Sequence, residues 1–478
     1  MVCFGDEMDE EERLGISMSE FNYSDIESLC VELPEDILKM KWYGDYEGAK
    51  RLIDLWLERE IPERLKEKLR LERHILSILP TEYTLIYEEA FAQISEVIFD
   101  FTKEEFEQLK DQGKIDWMYV NGEVRYFRRF LSTLLKVNVG LKQRAKMKDE
   151  MKYEIDQKEE EALLEVITKI KEEHQVAYHF KLRASVKIKD ESFQPGFVRV
   201  HIPLPILCQQ ISNINIINTS AVPYIISPQD AMQRTICFET QLEENREFFV
   251  EYEYDNMVTY VEPKECEVIP IDHKDFILDL GEQLPHIRFT PYLTALTADL
   301  IKDCINPLAK ARRIYDYVTT KIEYSFMREY ITIENITEYA ALGKKGDCGV
   351  QALLFITLCR IAGIPARWQS GLYTTPYSAG SHDWAQFYIA PYGWLFADCS
   401  FGGSAYREQD KERREFYFGN LDPFRMVANR EFQQEFDPPK DYLRADPYDN
   451  QRGEIEFQDR GLRYDEFVST IVVEARRL

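Results

Sequence analysis

The chain has 478 residues, of which 45% are hydrophobic and 13% aromatic, so it can bury real cores and lies far from a disordered composition. Its net charge of −26 at pH 7 disfavours nucleic acid and anionic membranes as partners, because phosphate binding needs a basic surface. No run of about 18 apolar residues occurs, so no membrane-spanning helix is expected.

A chain of this length suits about two to four domains. The opening Met-Val-Cys-Phe-Gly-Asp-Glu lacks a basic stretch followed by an apolar one. It is therefore not read as a secretory signal, and a cytoplasmic location is expected. The nine cysteines (Cys3, Cys30, Cys208, Cys237, Cys266, Cys304, Cys348, Cys359 and Cys399) are odd in number, widely spaced and free of CxxC pairs. That pattern disfavours zinc and fits reduced thiols, most of them small core residues.

Along the chain, residues 44 to 175 read as mainly helical. Tyr46 to Leu57 spaces apolar residues as an amphipathic helix does. Pro62 starts a further helix carrying Leu65, Leu69, Leu71 and Ile75. Thr102-Lys103-Glu104-Glu105 has the form of a capped helix start. Asn121-Gly122, between Trp117 and Tyr126, is a hairpin signature. A long charged helix is expected over 141–174.

The period then changes. Tyr178, Phe180, Leu182, Ala184, Val186 and Ile188 alternate with mostly polar residues, as in a half-buried strand. Short strands continue through 254, which predicts a β-sandwich of about 100 residues. From about 285 helices come first and strands later, an α+β order. The predicted domains are a mainly helical region at 1–175, a β-sandwich at 176–284, a core at 285–435 and a C-terminal extension at 436–478. The extension ends in a segment, Thr470 to Ala475, able to add a strand to an existing sheet.

The chemistry concentrates around Cys348. It follows Gly346-Asp347, precedes Gly349 and starts an apolar helical run that ends at Gly363-Ile364-Pro365. Asp347 can cap that helix. A helix start offers unpaired N–H groups and partial positive charge; both favour a thiolate and can bind an oxyanion. His382 lies 34 residues further on, at the opening of a predicted strand, and Asp398 lies 16 residues beyond it, where the next strand closes. Sixteen residues is two strands and a tight turn, which Pro391-Tyr392-Gly393 supplies. Cys348, His382 and Asp398 thus form a candidate nucleophile, base and orienter. Each alone is ordinarily structural; their order and the flanking glycines make the set specific.

The segment from about 305 to 402 resembles the transglutaminase-like, papain-related superfamily of cysteine enzymes, in the form seen in bacterial-type transglutaminase-like domain proteins. The matching stretches are Gly346-Asp347-Cys348-Gly349 with Ala352, Leu358 to Arg367, Ser370-Gly371, His382-Asp383-Trp384-Ala385, and Gly393-Trp394 leading to Asp398. They cover about a fifth of the chain. The resemblance implies a papain-like fold with Cys348, His382 and Asp398 as its catalytic triad. It implies that Tyr324, upstream of the cysteine, lines the site, and Trp384 and Gln386 are further candidates to line the cleft.

The expected activity is acyl transfer from a protein or peptide amide through a thioester at Cys348. Hydrolysis, as a cysteine peptidase or amidase, is favoured over amine transfer because water needs no second binding site. No cofactor or metal is called for; the calcium of some relatives is not expected, since no EF-hand-like acidic loop is present. A glycoprotein-deglycosylating amidase would bring CxxC pairs that are missing here. The alternative from another class is a binding scaffold built on a degenerate core.

Overall fold

Helices dominate the first third of the chain. In the computed structural model, which describes residues 21–145 and 150–478, they are α1 (Glu35–Trp42), α2 (Tyr46–Leu57), α3 (Glu63–Glu82), α4 (Tyr87–Val97), α5 (Lys103–Asp111), α6 (Phe130–Val137), α7 (Val139–Arg144) and α8 (Glu150–Glu173). Their starts follow local chemistry. Asp45 accepts the Gly48 N–H at the head of α2, Pro62 precedes α3, and Thr102 accepts the Glu105 N–H at the head of α5. Ile53, Leu69, Ile75 and Leu76 form the buried stripe between α2 and α3. A hairpin, β1 (Trp117–Val120) with β2 (Glu123–Tyr126), turns at Asn121 and Gly122, both at positive φ (48° and 90°), the backbone such two-residue turns require. The charged helix expected over 141–174 is divided, α7 ending at Arg144 and α8 beginning at Glu150; residues 146–149 lie outside the described residues. So do the acidic opening residues read above for a signal.

Two four-stranded sheets follow. One has the order β16 (Glu454–Phe457), β4 (Gly196–Pro203), β7 (Thr235–Leu242), β6 (Tyr224–Ile226); the other has β17 (Phe467–Arg477), β3 (Gln175–Ile188), β8 (Glu247–Thr259), β5 (Ile211–Thr219). The alternation from Phe180 to Ile188 is real: Phe180, Leu182, Ala184, Val186 and Ile188 are buried. Each sheet takes one edge strand from the C-terminal segment. The last of these, β17, pairs with β3 from Phe467↔Ile188 to Arg477↔Tyr178.

The third unit is helices followed by an antiparallel sheet. Helices α9 (Pro291–Ile301), α10 (Pro307–Lys321) and α11 (Ile336–Gly343), with the short parallel pair β9 (Glu323–Tyr324) and β10 (Lys345–Gly346), lead to α12 (Cys348–Ile361). Nearly all of α12 is buried, with Val350, Leu353, Leu354, Phe355 and Leu358 fully so. It packs on a five-stranded sheet in the order β14 (Phe418–Gly419), β13 (Gly393–Ala397), β12 (Ala379–Ile389), β11 (Ala366–Thr374), β15 (Arg425–Asn429). A short helix, α13 (Cys399–Arg407), leaves the end of β13. The edge strand β15 is covered by the sandwich, since the N–H groups of Ile206 and Arg234 donate to the carbonyls of Val427 and Ala428 at 2.8 and 3.0 Å. The mixture of helices with antiparallel sheets is an α+β architecture. No described helix is long and apolar enough to cross a membrane.

Candidate active site

Cys348 is the first residue of α12. Asp347, just before it, has extended backbone and accepts the Val350 N–H on its Oδ1 at 3.1 Å. The Gln351 N–H goes to the Asp347 carbonyl. The N–H groups of Cys348 and Gly349 have no acceptor among the described residues, as expected of a helix's first turn. A side chain at residue 349 has no room: a Cβ there would stand 2.5 Å from the Tyr330 hydroxyl and 2.9 Å from Asp383 Oδ2. Gly349 therefore leaves room for the Tyr330 hydroxyl and the Asp383 carboxylate beside the first turn of α12.

The thiol's partner is Asp383, whose Oδ2 lies 3.1 Å from Cys348 Sγ. Along β12, alternate side chains take opposite faces. Phe387 meets Phe355 of α12, so Asp383, Ala385 and Phe387 face that helix, and His382, Trp384 and Gln386 lie on the other face. His382 Nε2 is 2.7 Å from Asp398 Oδ2. The Asp398 carboxylate does three jobs at once: Oδ1 caps α13 by accepting the Phe401 N–H at 2.9 Å, while Oδ2 takes His382 and Arg425, the latter at 3.0 Å. Arg425 also reaches Asp422 at 2.8 Å, and Arg425 and Asp398 are both fully buried.

These surroundings set the charges. Burial, followed by Asp383 and Asp347, pushes the Cys348 thiol pKa well up; Lys136 acts in the opposite direction. Burial lowers the His382 pKa against the pull of Asp398. Burial also pushes the Asp398 carboxyl up, but the charge and hydrogen bond of His382, together with Arg425 and the Phe401 N–H, hold it below its usual range. Burial and the neighbouring Asp449 raise Asp383 well above a normal carboxyl. Lys136 acts electrostatically on both Cys348 and His382, so one ammonium is in range of both groups.

The thiol opens into a cleft of about 740 Å³. Three parts of the chain wall it: Arg128 and Arg129 from before α6, Tyr324 and Tyr330 from the core, and Asp446, Asp449 and Gln451 from the C-terminal segment. Gln451 donates to the His382 carbonyl at 3.2 Å and to the Asp383 carboxylate.

The structure thus joins His382 to Asp398 and Cys348 to Asp383, and puts Tyr324 beside the cleft, buried at 5% exposure. Two expected lining residues are placed elsewhere. Trp384 donates its indole N–H to Gln369 at 2.9 Å, and Gln386 donates to Gln209 and accepts from Arg367, all away from the cleft. Strand parity is the reason: both lie on the face of β12 opposite Asp383. Asp383 was missed. Only its adjacency to a candidate histidine marked it, and sequence cannot say which of two neighbouring strand residues faces a distant helix. His201 and His286 are fully buried. Among the described residues no cluster of three or more metal-ligating side chains occurs.

The site thus sets a cysteine at a capped helix start on an antiparallel sheet that carries a histidine–aspartate pair. Residues 294–399 match the family model described as the transglutaminase-like superfamily. No curated protein matches the chain in sequence. Among solved structures, a candidate cysteine protease from Cytophaga hutchinsonii is similar with a TM-score of 0.41 and 15% identity, covering 64% of this chain and 91% of its own. The periplasmic domain of TgpA from Pseudomonas aeruginosa is similar with a TM-score of 0.29 and 13% identity, covering 52% of this chain and 95% of its own.

Proposed function

We propose that the protein is a thiol enzyme that cleaves or transfers protein or peptide amides through an acyl-thioester at Cys348, with hydrolysis favoured over amine transfer. The observation that carries this reading is the position of Cys348: its thiol sits at a capped helix start, in an open cleft, beside two N–H groups with no acceptor among the described residues.

Because His382 Nε2 faces Asp398, the imidazole's free lone pair is on Nδ1. In this reading the Cys348 side chain first turns from Asp383 toward His382, to which it is not hydrogen-bonded in the structure, and Nδ1 then takes the thiol proton. Sγ attacks the amide carbon, and the N–H groups of Cys348 and Gly349 receive the oxyanion. The imidazolium returns its proton to the leaving amine, the C–N bond breaks, and the acyl group remains on sulfur. Water, deprotonated by the same imidazole, then releases the acid; an amine in its place gives transfer. Asp398 keeps the ring in one tautomer and stabilises its charged form. Asp383 holds the resting thiol protonated.

The test is turnover of a fluorogenic peptide-amide library by wild type, Cys348→Ala and His382→Ala. Loss of at least about a thousandfold in both variants is expected; full activity in Cys348→Ala overturns the proposal.

A second reading, a binding scaffold on a degenerate core, draws support from the neutral thiol bonded to Asp383 rather than to His382. Alkylation separates the two: a scaffold thiol reacts with iodoacetamide no faster than the other cysteines.

A further inference from the structure

The cleft around Cys348 carries an imbalance of charge satisfaction. Its carboxylates are matched. Glu82 is paired with Arg128 at 2.8 Å, Glu329 with Arg463, and Asp446 accepts the N–H groups of Tyr448 and Asp449. Three cations are not. Arg129 and Arg452 line the cleft, and Lys136 stands beside it. None of the three forms an ion pair or hydrogen bond among the described residues, and all are exposed.

Each is held in place by an aromatic ring instead. The Arg129 guanidinium lies 3.7 Å from the Phe326 ring centre, Lys136 Nζ 4.0 Å from that of Tyr324, and the Arg452 guanidinium 4.5 Å from that of Tyr464. A cation stacked on a ring keeps its hydrogen-bond donors free for a ligand while losing some of its freedom before binding. Arg129 and Lys136 come from the N-terminal helical region and Arg452 from the C-terminal segment, and Arg129 and Arg452 line the same cleft as Cys348. On a chain of net charge −26, three cations with no anionic partner among the described residues are placed to receive an anionic ligand.

We propose that the cleft takes an acidic peptide, its carboxylates pairing with Arg129, Lys136 and Arg452 while an adjoining backbone amide is presented to Cys348. The substrate class rests on the thiol-enzyme reading above, but the binding does not require it. Glu82, Glu329 and Asp446 are already matched by Arg128, Arg463 and backbone N–H groups, which leaves the three cations to meet the ligand.

The experiment uses the full-length Cys348→Ala protein, which cannot form a thioester, and reads fluorescence anisotropy of labelled hexaglutamate, hexaglutamine and hexalysine. Hexaglutamate is expected to bind about tenfold or more tighter than hexaglutamine, with affinity falling as salt rises, and hexalysine weakest of the three. Adding Arg129→Gln and Arg452→Gln, both at exposed positions, is expected to weaken hexaglutamate about tenfold and flatten the salt dependence. Equal affinity for hexaglutamate and hexaglutamine, or hexaglutamate binding unchanged by the two arginine substitutions, overturns the proposal. Because Cys348 is absent, neither result depends on whether that thiol is a nucleophile.

Discussion

Cys348 and Asp383 are hydrogen-bonded across the helix–sheet junction at 3.1 Å, while His382, one residue earlier on the same strand, turns to Asp398. The thiol and the histidine are thus each held by a carboxylate, and the two carboxylates act in opposite senses. Asp398 favours a charged imidazole; Asp383 disfavours a charged sulfur. Replacing Asp383 by Asn keeps the shape and removes the charge. The Cys348 thiol pKa is then expected to fall, and alkylation at pH 8 to quicken several-fold. Peptide mass spectrometry of iodoacetamide-treated protein across pH reads this directly. An unchanged or higher thiol pKa would mean that Asp383 does not hold the sulfur neutral.

Gly349 lies where the Tyr330 hydroxyl and the Asp383 carboxylate crowd the first turn of α12. Gly349→Ala forces the tyrosine or the aspartate to move. The expected loss is about 1–3 kcal/mol, the usual range for overpacking a filled site. Tyr330→Phe removes the nearest atom, so the double variant should be less destabilised than the sum of the two single ones. Urea unfolding of the four proteins checks this; strict additivity would place the clash elsewhere.

How much of this was legible beforehand differs by element. The helix start at Asp347-Cys348, the hairpin at Asn121-Gly122 and the alternation from Phe180 to Ile188 are local signals, and each appears in the structure where it was read. The α+β order was readable because periodicity changes from 3.6 to 2 along the chain. What stayed hidden depends on contacts between distant segments. Nothing local to Asp449 or Gln451 says that they close over a cleft about a hundred residues upstream, nor does anything near Arg129 or Lys136 tie them to Cys348. Of the two sandwich strands after residue 450, the last was read as a strand able to join a sheet, whereas β16 was not read. Strand parity was the remaining gap: alternation shows that His382 and Asp383 differ in face, not which one meets the helix.

Arg425, Asp398 and Asp422 form a fully buried charge cluster, with Arg425 bridging both carboxylates. Arg425→Met leaves two buried anions without their shared cation. A loss of about 3–5 kcal/mol is expected, as for other buried pairs broken from one side. The same variant should raise the Asp398 pKa, since Arg425 is one of the groups holding it down. Stability that Asp398 contributes is present above its unfolded pKa and lost as pH falls through the lower folded value. Acid unfolding of Arg425→Met should therefore begin at higher pH than in wild type. Equal stability and equal acid midpoints would contradict the bridging role.

Buried histidines give a second pH signature. Burial lowers the pKa of His74 to about 4 and of His286 to about 3. Unfolded, both titrate near ~6.5. Between those values the unfolded chain binds more protons, so stability declines as pH drops below ~6.5, by roughly 1 kcal/mol per pH unit for each histidine. His286→Asn keeps an acceptor for the Ile336 N–H and abolishes the titration. Urea unfolding at pH 7 and pH 5 should show a smaller difference for the variant than for wild type. An identical difference would mean that His286 protonates as readily folded as unfolded.

The most direct test of the central claim is trapping of the acyl-enzyme. Wild type and Cys348→Ala would be mixed with a peptide amide that wild type turns over, quenched in acid within milliseconds, digested and examined by mass spectrometry. The account predicts an acyl adduct on the peptide containing Cys348, released by hydroxylamine, weaker in His382→Ala and absent from Cys348→Ala. Turnover that continues in Cys348→Ala, or proceeds in wild type with no adduct on that peptide at any quench time, would contradict it.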